Sequence, residues 1–252
     1  FNEIKHTLDN INTDGAVLIF LPGWAEIVQM QRMLQENEEY IILALHSCVS
    51  PDKQALCFRQ YHGKRKVILA TNIAESSITI PDVVHVIDSG KARRISYDSE
   101  AKETYSDVDF VSQANLLQRA GRAGRHLADG GTYHLMMTEA DMKNLPEHKE
   151  PEIVHKDLQT LILTAKSLWP SVDSKDIFEA LITVPSLDSI KSAERALIDL
   201  QALDKDGFLT RLGSKLAELP LTPALGKMCL LSIFFDCHEP VITVAAIVSC
   251  GS

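Results

Sequence analysis

The stretch AVLIFLPG at residues 16–23 is an unbroken apolar run of strand length that ends in Pro22 and Gly23, two residues that break regular structure. Runs of the same kind lie at 41–45 (IILAL), 67–70 (VILA) and 83–87 (VVHVI), with helical spacing of apolar residues between them at 25–34 and 52–61. Short apolar runs that alternate with helices predict an α/β fold: a parallel sheet covered by helices on both faces.

In such a sheet, ligands bind in the loops at the carboxyl ends of the strands. The loops that follow the four runs are Pro22-Gly23, His46-Ser47, Thr71-Asn72 and Asp88-Ser89. The sequence therefore predicts that functional residues lie at this edge of the sheet.

The pattern changes twice after the fourth run. Residues 91–108 alternate around a polar turn at 98–100, which predicts an inserted β-hairpin. A helix is expected to begin after Ser112, whose hydroxyl can cap its first turn, and a last strand is expected at 131–137. Prolines and charges at 145–151 indicate a domain boundary.

Beyond Pro151 the pattern is helical. Amphipathic helices are predicted at 157–168, 174–181 and 186–203, then a turn with a short apolar arm at 204–210, a helix from Leu212, and helices at 224–235 and 240–248. Helices followed by a tight hairpin indicate a winged-helix-like module, and the last two helices read as the start of a helical bundle. The predicted domains are residues 1–148, 149–218 and 219–252, and we read the chain as a piece of a longer protein.

Charge and cysteine content restrict the function classes. The 252 residues carry a net charge of −9, but residues 59–125 have a local net charge of +3, so any nucleic-acid face is expected to be local. The five cysteines form no C-x-x-C pair, and no histidine–cysteine group has zinc-site spacing, which favours a reducing intracellular compartment and no metal site. No apolar run approaches the roughly 20 residues of a membrane span.

The octapeptide QRAGRAGR at 118–125 is the sharpest local signal. Arginines three residues apart stay near one face of a helix, and each of the two glycines costs a helix about 1 kcal/mol. These features predict a helix with a bare surface that a ligand approaches closely, and arginine suits bidentate contact with phosphate. The alternative is a solvated basic helix or a general RNA-binding patch.

A second signal is the loop TNIAESSITI at 71–80, which directly follows an apolar strand. Its hydroxyls and amide can bind phosphate oxygens without long flexible side chains. The alternative is an ordinary Ser/Thr-rich turn.

Taken together, these two signals carry a resemblance. The stretch TNIAESSITIPD at 71–82, followed by QRAGRAGR, closely resembles motifs V and VI of the DEAH/RHA-type superfamily-2 RNA helicases. FLPGWAEI at 20–27 is similar to their motif IV, LHS at 45–47 to the segment after it, and 202–223 to their winged-helix end. The resemblance implies a RecA-like domain, a winged helix, and half of an ATP site that a first RecA-like domain completes.

For the nucleotide, the resemblance implies that Gln118, Arg122 and Arg125 face the γ-phosphate, with the two arginines as arginine fingers and Gln118 placing the attacking water. Further nucleotide-site residues are Phe58 against adenine, Ser77 sensing nucleotide state, Thr79, Asp82 and Arg119. Phe58 has a core role as its alternative. Asp82 follows Pro81, where many relatives have the ribose-contacting Asp, and Arg119 either braces the helix or couples it to RNA.

For RNA, the resemblance implies backbone contacts from Gly23, Ser47, Thr71 and Asn72, and strand separation by a hairpin that carries Lys91 and Arg93. The implied partners are single-stranded RNA or a duplex with an overhang, the first RecA-like domain, and protein activators. The implied cofactors are ATP and Mg²⁺. The implied activity is ATP-driven 3′-to-5′ translocation and unwinding.

Two absences limit the chain itself. No G-x-x-x-x-G-K-[ST] phosphate loop and no Asp-Glu dipeptide occur, so Mg²⁺ ligands are expected in the first RecA-like domain and the isolated chain is expected to be inactive. Two other functions stay open: a degenerate helicase-like scaffold that binds RNA or protein without turnover, and a winged-helix DNA regulator. The second is disfavoured because 186–203 carries two basic against three acidic residues.

Overall fold

The computed structural model describes residues 1–76, 78–98, 103–125 and 130–251. Two predictions, the nucleotide-sensing Ser77 and the hairpin turn at residues 99 and 100, lie outside these ranges. The chain divides into two compact units, one of Phe1–Arg94 with Ser106–Lys149 and the other of Ile95–Tyr105 with Glu150–Ser252. The domain limits at 148 and 218 stay predictions.

The first unit contains the parallel sheet that the apolar runs predict. Its strands are β1 Ala16–Phe20, β2 Tyr40–Leu45, β3 Arg65–Ala70, β4 Val83–Asp88 and β7 Thr132–Leu135. Two further strands, β5 Lys91–Asp98 and β6 Glu103–Phe110, lie between β4 and β7 in the chain and are not part of this sheet. The order is β2-β3-β1-β4-β7 with every pairing parallel. The α/β prediction is confirmed, and β5 and β6 form the predicted two-stranded hairpin.

Helices cover both faces of the sheet. Side chains alternate along β1, so each face of the sheet has its own apolar core cluster. Val17 and Ile19 pack in one core cluster with Ile27 and Met30, whereas Leu18 and Phe20 pack in the other. The helices of this unit are α1 Asn2–Asp9, α2 Trp24–Leu34, α3 Pro51–Ala55, α4 Ile73–Ser76, α5 Gln113–Ala120 and α6 Glu139–Lys143, with a 3₁₀ turn at Leu56–Phe58. The two cores hold the loops at the carboxyl edge of the sheet in place.

Helix α5 begins where the sequence predicts and ends earlier. Ser112 caps it: the Ser112 hydroxyl accepts the Asn115 N–H, and the Asn115 side chain accepts the Ser112 N–H. The helix ends at Ala120, so the prediction of one helix through 118–125 is wrong. Gly124 has a φ of +60°, which a helix cannot contain, and its N–H binds the carbonyl oxygen of Val83.

The second unit is helical, as predicted. Its helices are α7 Gln159–Leu168, α8 Ser174–Glu179, α9 Leu187–Asp199, α10 Arg211–Ala217, α11 Pro223–Phe234 and α12 His238–Gly251, preceded by a 3₁₀ turn at Glu152–Val154. An antiparallel bridge joins Leu203 to Leu209 across the predicted turn. Helix α9 ends at Asp199 and not at the predicted Leu203, because Gln201 takes a φ of 61°.

Among the described residues, no helix is both long enough and apolar enough to cross a membrane.

Candidate nucleotide and nucleic-acid site

The strands end in line, which gathers their loops at one edge of the sheet. Phe20, the last residue of β1, is in register with Ala70 of β3 and Asp88 of β4, and Leu45 of β2 is also in register with Ala70. The loops that follow carry the predicted RNA contacts Gly23, Ser47, Thr71 and Asn72, and Lys91 begins β5 directly after the loop that follows β4. The structure therefore brings these residues to one edge, where Ser47, Asn72 and Lys91 are exposed and Gly23 and Thr71 are buried.

Gly23 is covered by its neighbours. A Cβ atom at Gly23 would lie 2.7 Å from Nε of Arg93 and 3.0 Å from Oε2 of Glu26. Arg93 also forms an ion pair with Glu26 at 3.4 Å, and its backbone N–H binds the carbonyl oxygen of Pro22. The Arg93 side chain lies over Gly23 in this structure, and the contact of Gly23 with RNA stays a prediction.

The loop after β3 folds back into the short helix α4. The carbonyl oxygens of Thr71 and Asn72 accept the N–H groups of Ala74 and Glu75. This turn leaves the Asn72 side chain exposed and directs Glu75, 6% exposed, into the protein.

Glu75 meets Arg119, which is 1% exposed and lies between two carboxylates. Nε of Arg119 donates to Glu75 at 2.9 Å, and one terminal nitrogen donates to Asp88 at 2.8 Å and to the carbonyl oxygen of Lys91 at 3.2 Å. The guanidinium also lies over the Phe20 ring, 4.9 Å from its centroid. Arg119 thus joins the α4 loop, helix α5 and the first residue of the hairpin.

Other groups donate hydrogen bonds to the carboxylates of Glu75 and Asp88. Asn115 donates to the second oxygen of Glu75, and Tyr133 donates to the second oxygen of Asp88 at 2.8 Å. The N–H of Gly90 adds a third bond to Asp88. Burial and the neighbouring Asp88 raise the pKa of Tyr133 above its ordinary value, so its hydroxyl stays a donor at neutral pH.

This buried cluster corrects the prediction for Arg119 as a nucleotide contact, because its guanidinium is 1% exposed and bonded to two buried carboxylates and a carbonyl oxygen. The sequence analysis placed Asp88 and Glu75 in candidate loops but did not predict that they, Asn115 and Tyr133 form a cluster around Arg119. A carboxylate that closes an apolar strand, as Asp88 closes β4, is the signal that could have indicated a buried partner for one of the three arginines.

Arg122 and Arg125 lie in the turn after α5, beside the loop that precedes β4. Arg122 donates a hydrogen bond of 3.1 Å to the carbonyl oxygen of Ile78, and both arginines line a small cleft with Thr79 and Ile80. Gln118, Arg125 and Thr79 are exposed, whereas Arg122 is partly buried. The structure thus brings the two arginines and Thr79 together.

The electrostatics of this turn suit an anion. Burial and, secondarily, the nearby charge of Arg125 lower the pKa of Arg122 below its ordinary value. Nε of Arg122 is buried with no hydrogen-bond partner in the described structure. An acceptor with several oxygens, such as a phosphate, would accept a hydrogen bond from this donor, and its negative charge would offset the repulsion between Arg122 and Arg125.

Phe58 and Asp82 have different surroundings. Phe58 is 43% exposed, so the alternative of a core phenylalanine is wrong. Asp82 forms an ion pair with Lys66 at 2.7 Å through one of its carboxylate oxygens, and its place in the nucleotide site stays a prediction.

Within the described ranges, no group of three or more His, Cys, Asp or Glu side chains is arranged to hold a metal ion. The side chains of Arg122 and Arg125 in the turn after α5 are cationic, so this turn suits phosphate oxygens and not Mg²⁺.

Comparisons with known proteins give the family. The model of the helicase conserved C-terminal domain matches residues 1–127, and that of the helicase associated domain (HA2), winged-helix, matches residues 193–221. The DExH-box ATP-dependent RNA helicase DExH2 of Arabidopsis thaliana is 41% identical over 239 residues, which are 92% of this chain and 15% of that protein. The putative ATP-dependent RNA helicase DHX57 of Homo sapiens is 42% identical over 244 residues, 92% of this chain and 18% of that protein.

The chain therefore spans less than a fifth of the length of these relatives. Among solved structures, the Escherichia coli DEAH/RHA helicase HrpB superposes with a TM-score of 0.87 at 30% identity, over 98% of this chain and 31% of that one. The family match, the relatives and the superposition agree with the motifs at 71–82 and 118–125. The chain belongs to the helicase conserved C-terminal domain family, within the DEAH/RHA-type superfamily-2 helicases.

Proposed function

We propose that this chain is the second RecA-like domain, winged helix and first bundle helices of an ATP-dependent RNA helicase. In this role it supplies one side of an ATP site and residues that bind the RNA backbone. A first RecA-like domain supplies the phosphate loop and the Mg²⁺ ligands. The observation that carries the proposal is the pair Arg122 and Arg125 in a cleft with Thr79, with a buried Nε of Arg122 that has no partner in the described structure.

The proposed chemistry is charge stabilisation. Two guanidiniums beside the transferred phosphoryl group neutralise charge that develops in the transition state, and Gln118 orients the attacking water. Arginine contacts of this kind are worth about 10³–10⁵ in rate in related phosphoryl-transfer systems. ATP would be the substrate, with Mg²⁺ neutralising its phosphates in the complete site.

The proposed RNA contact is to the sugar-phosphate backbone. Ser47, Asn72 and Lys91 are exposed at the carboxyl edge of the sheet, and Thr71 fixes the turn that presents Asn72. Contacts of this type hold a strand without reading its sequence. The proposed substrates are single-stranded RNA and duplexes with an overhang, unwound in the 3′-to-5′ direction.

The test uses the full-length protein that carries this chain. Arg122→Ala and Arg125→Ala should each lower RNA-stimulated ATP hydrolysis by about 10³, while the Kd for a single-stranded RNA stays within about twofold. Arg32→Ala, an exposed arginine of α2, is the matched control and should leave hydrolysis unchanged. Full turnover in both variants would show that these arginines are not arginine fingers.

The isolated chain provides a second measurement. Because it has no phosphate loop, it should release no phosphate from ATP above the buffer rate, with or without RNA. RNA-stimulated hydrolysis by the isolated chain would contradict the division of the site between two domains.

A further inference from the structure

Lys66 is a buried lysine whose donors are all occupied. It is 3% exposed, in β3, and its ammonium donates to the carbonyl oxygens of Cys57 and Arg59, each at 2.9 Å, and to Asp82 at 2.7 Å. An ammonium has three N–H donors, so none is left for another partner. A buried charge with this bonding holds its neighbours firmly, because breaking any one bond leaves a charged donor unsatisfied.

The two carbonyl groups that Lys66 binds flank one residue, Phe58. Cys57 is fully buried, and Arg59 ends the 3₁₀ turn in an extended conformation. The backbone is therefore held on both sides of Phe58, while the Phe58 ring itself remains 43% exposed. A large apolar ring that is exposed on a fixed backbone is a surface ready to stack against a flat apolar ligand.

We infer that Lys66 and Asp82 are positioning residues for the nucleotide base: Asp82 orients Lys66, and Lys66 holds the turn that presents Phe58 to the adenine. This inference rests on the proposed function, in which Phe58 stacks on the base. It gives Asp82 an indirect role. Its carboxylate balances the buried ammonium and makes no contact with the ribose.

The experiment compares Lys66→Met with Lys64→Met in the full-length protein. Lys64 is exposed, two residues away, and serves as the matched control. Lys66→Met should raise the KM for ATP about fivefold, the lower end of what the loss of a base–aromatic stack costs, with kcat within about twofold. The Kd for ADP, measured by calorimetry without turnover, should rise by the same factor, and Lys64→Met should change neither.

A ligand without a base separates a base effect from a general defect. Tripolyphosphate carries the phosphates alone, so its inhibition constant should be equal in wild type and Lys66→Met. Phe58→Ala should raise the KM as Lys66→Met does, and the double variant should be no worse than Phe58→Ala alone, because both act on one contact. A weaker tripolyphosphate inhibition in Lys66→Met, or additive effects in the double variant, would overturn the inference.

Asp82→Asn decides the case if Lys66→Met does not fold. Asp82 is 25% exposed, so this variant removes the charge without burying a new group, and it should raise the KM for ATP and the Kd for ADP about twofold, with tripolyphosphate inhibition unchanged. An unchanged Kd for ADP in Asp82→Asn refutes the inference alone. A wild-type protein that neither binds nor hydrolyses ATP refutes the proposed function itself.

Discussion

The guanidinium of Arg119 donates a hydrogen bond of 2.8 Å to the carboxylate of Asp88, and both side chains are closed to solvent, at 1% and 0% exposure. Burial of two charges is favourable only when each polar atom is bonded. Here Glu75 shares the guanidinium, and Tyr133 and Gly90 bond the remaining sites of Asp88. Arg119, the first arginine of motif VI, therefore has a structural role in the first unit.

Arg119→Met should lower the free energy of unfolding of this chain by about 4 kcal/mol, because it leaves Glu75 and Asp88 as buried carboxylates without a counter-charge. Urea unfolding followed by circular dichroism measures the change. Arg32→Met, an exposed arginine of α2, should change it by less than about 0.5 kcal/mol. A loss below about 1 kcal/mol in Arg119→Met would mean that the cluster does not stabilise the fold.

Gly124→Ala should destabilise the chain and Gly121→Ala should not, although both glycines lie in the same motif. A Cβ at Gly124 would lie 2.1 Å from the carbonyl carbon of Gly130, on a backbone with a φ of +60°, so we expect a loss of more than about 2 kcal/mol. A Cβ at Gly121 would meet nothing closer than 3.4 Å at a φ of −65°, and that variant should be neutral. Thermal unfolding of the two variants measures the difference, and equal melting temperatures would contradict it.

The sheet and the start of helix α5 could be predicted from the sequence. The apolar runs at 16–21, 41–45, 67–70 and 83–87 predicted the sheet because a strand buried on both faces has to be apolar throughout. The cap at Ser112 was also predictable, since capping depends on residues three apart. Both are local patterns.

The end of α5 was not predictable in the same way. It depends on Gly124 meeting Gly130 and the carbonyl oxygen of Val83, contacts that the sequence around the motif does not encode. The burial of Arg119 likewise depends on Asp88 and Glu75, which are 31 and 44 residues away. The resemblance gave the correct motif, and only the structure separated the buried Arg119 from the partly buried Arg122 and the exposed Arg125.

Stability of this chain should fall as the pH drops below about 6.5, in part through His85. His85 is 3% exposed in β4, and burial, followed by the charges of Arg65 and His134, lowers its pKa below the ordinary value. The unfolded chain therefore binds a proton at a higher pH than the folded chain does. The resulting stability is present above pH 6.5 and is lost as the pH falls through the lower folded pKa.

Urea unfolding midpoints at pH 7.5 and pH 5.5 test this dependence. The decrease in wild type should be larger than in His85→Gln, whose amide can still bond the Thr13 hydroxyl that lies 3.0 Å from His85. His62→Gln replaces an exposed histidine and should keep the wild-type decrease. Equal decreases in wild type and His85→Gln would rule out His85 as a source of the pH dependence.

Glu26→Gln should strengthen RNA binding by the full-length protein about twofold, and Arg93→Gln should weaken it. The Arg93–Glu26 ion pair is 3.4 Å long with Arg93 41% exposed, so it contributes little stability and an RNA phosphate can replace Glu26 as the partner. Neutralising Glu26 removes that competitor and leaves the guanidinium in place over Gly23. Oε1 of Glu26 forms the pair with Arg93, while Oε2 of the same carboxylate is buried without a hydrogen-bond partner among the described residues.

Fluorescence anisotropy with a labelled single-stranded RNA at several salt concentrations checks both variants. If Arg93 contacts one phosphate, Arg93→Gln should reduce the slope of log Kd against log salt by about 0.7, the value for one contact to a single strand. Glu36→Gln, an exposed carboxylate just beyond α2, controls for the loss of one negative charge. An increase in affinity that is equal in Glu26→Gln and Glu36→Gln would assign the effect to net charge, because only Glu26 competes for the Arg93 guanidinium.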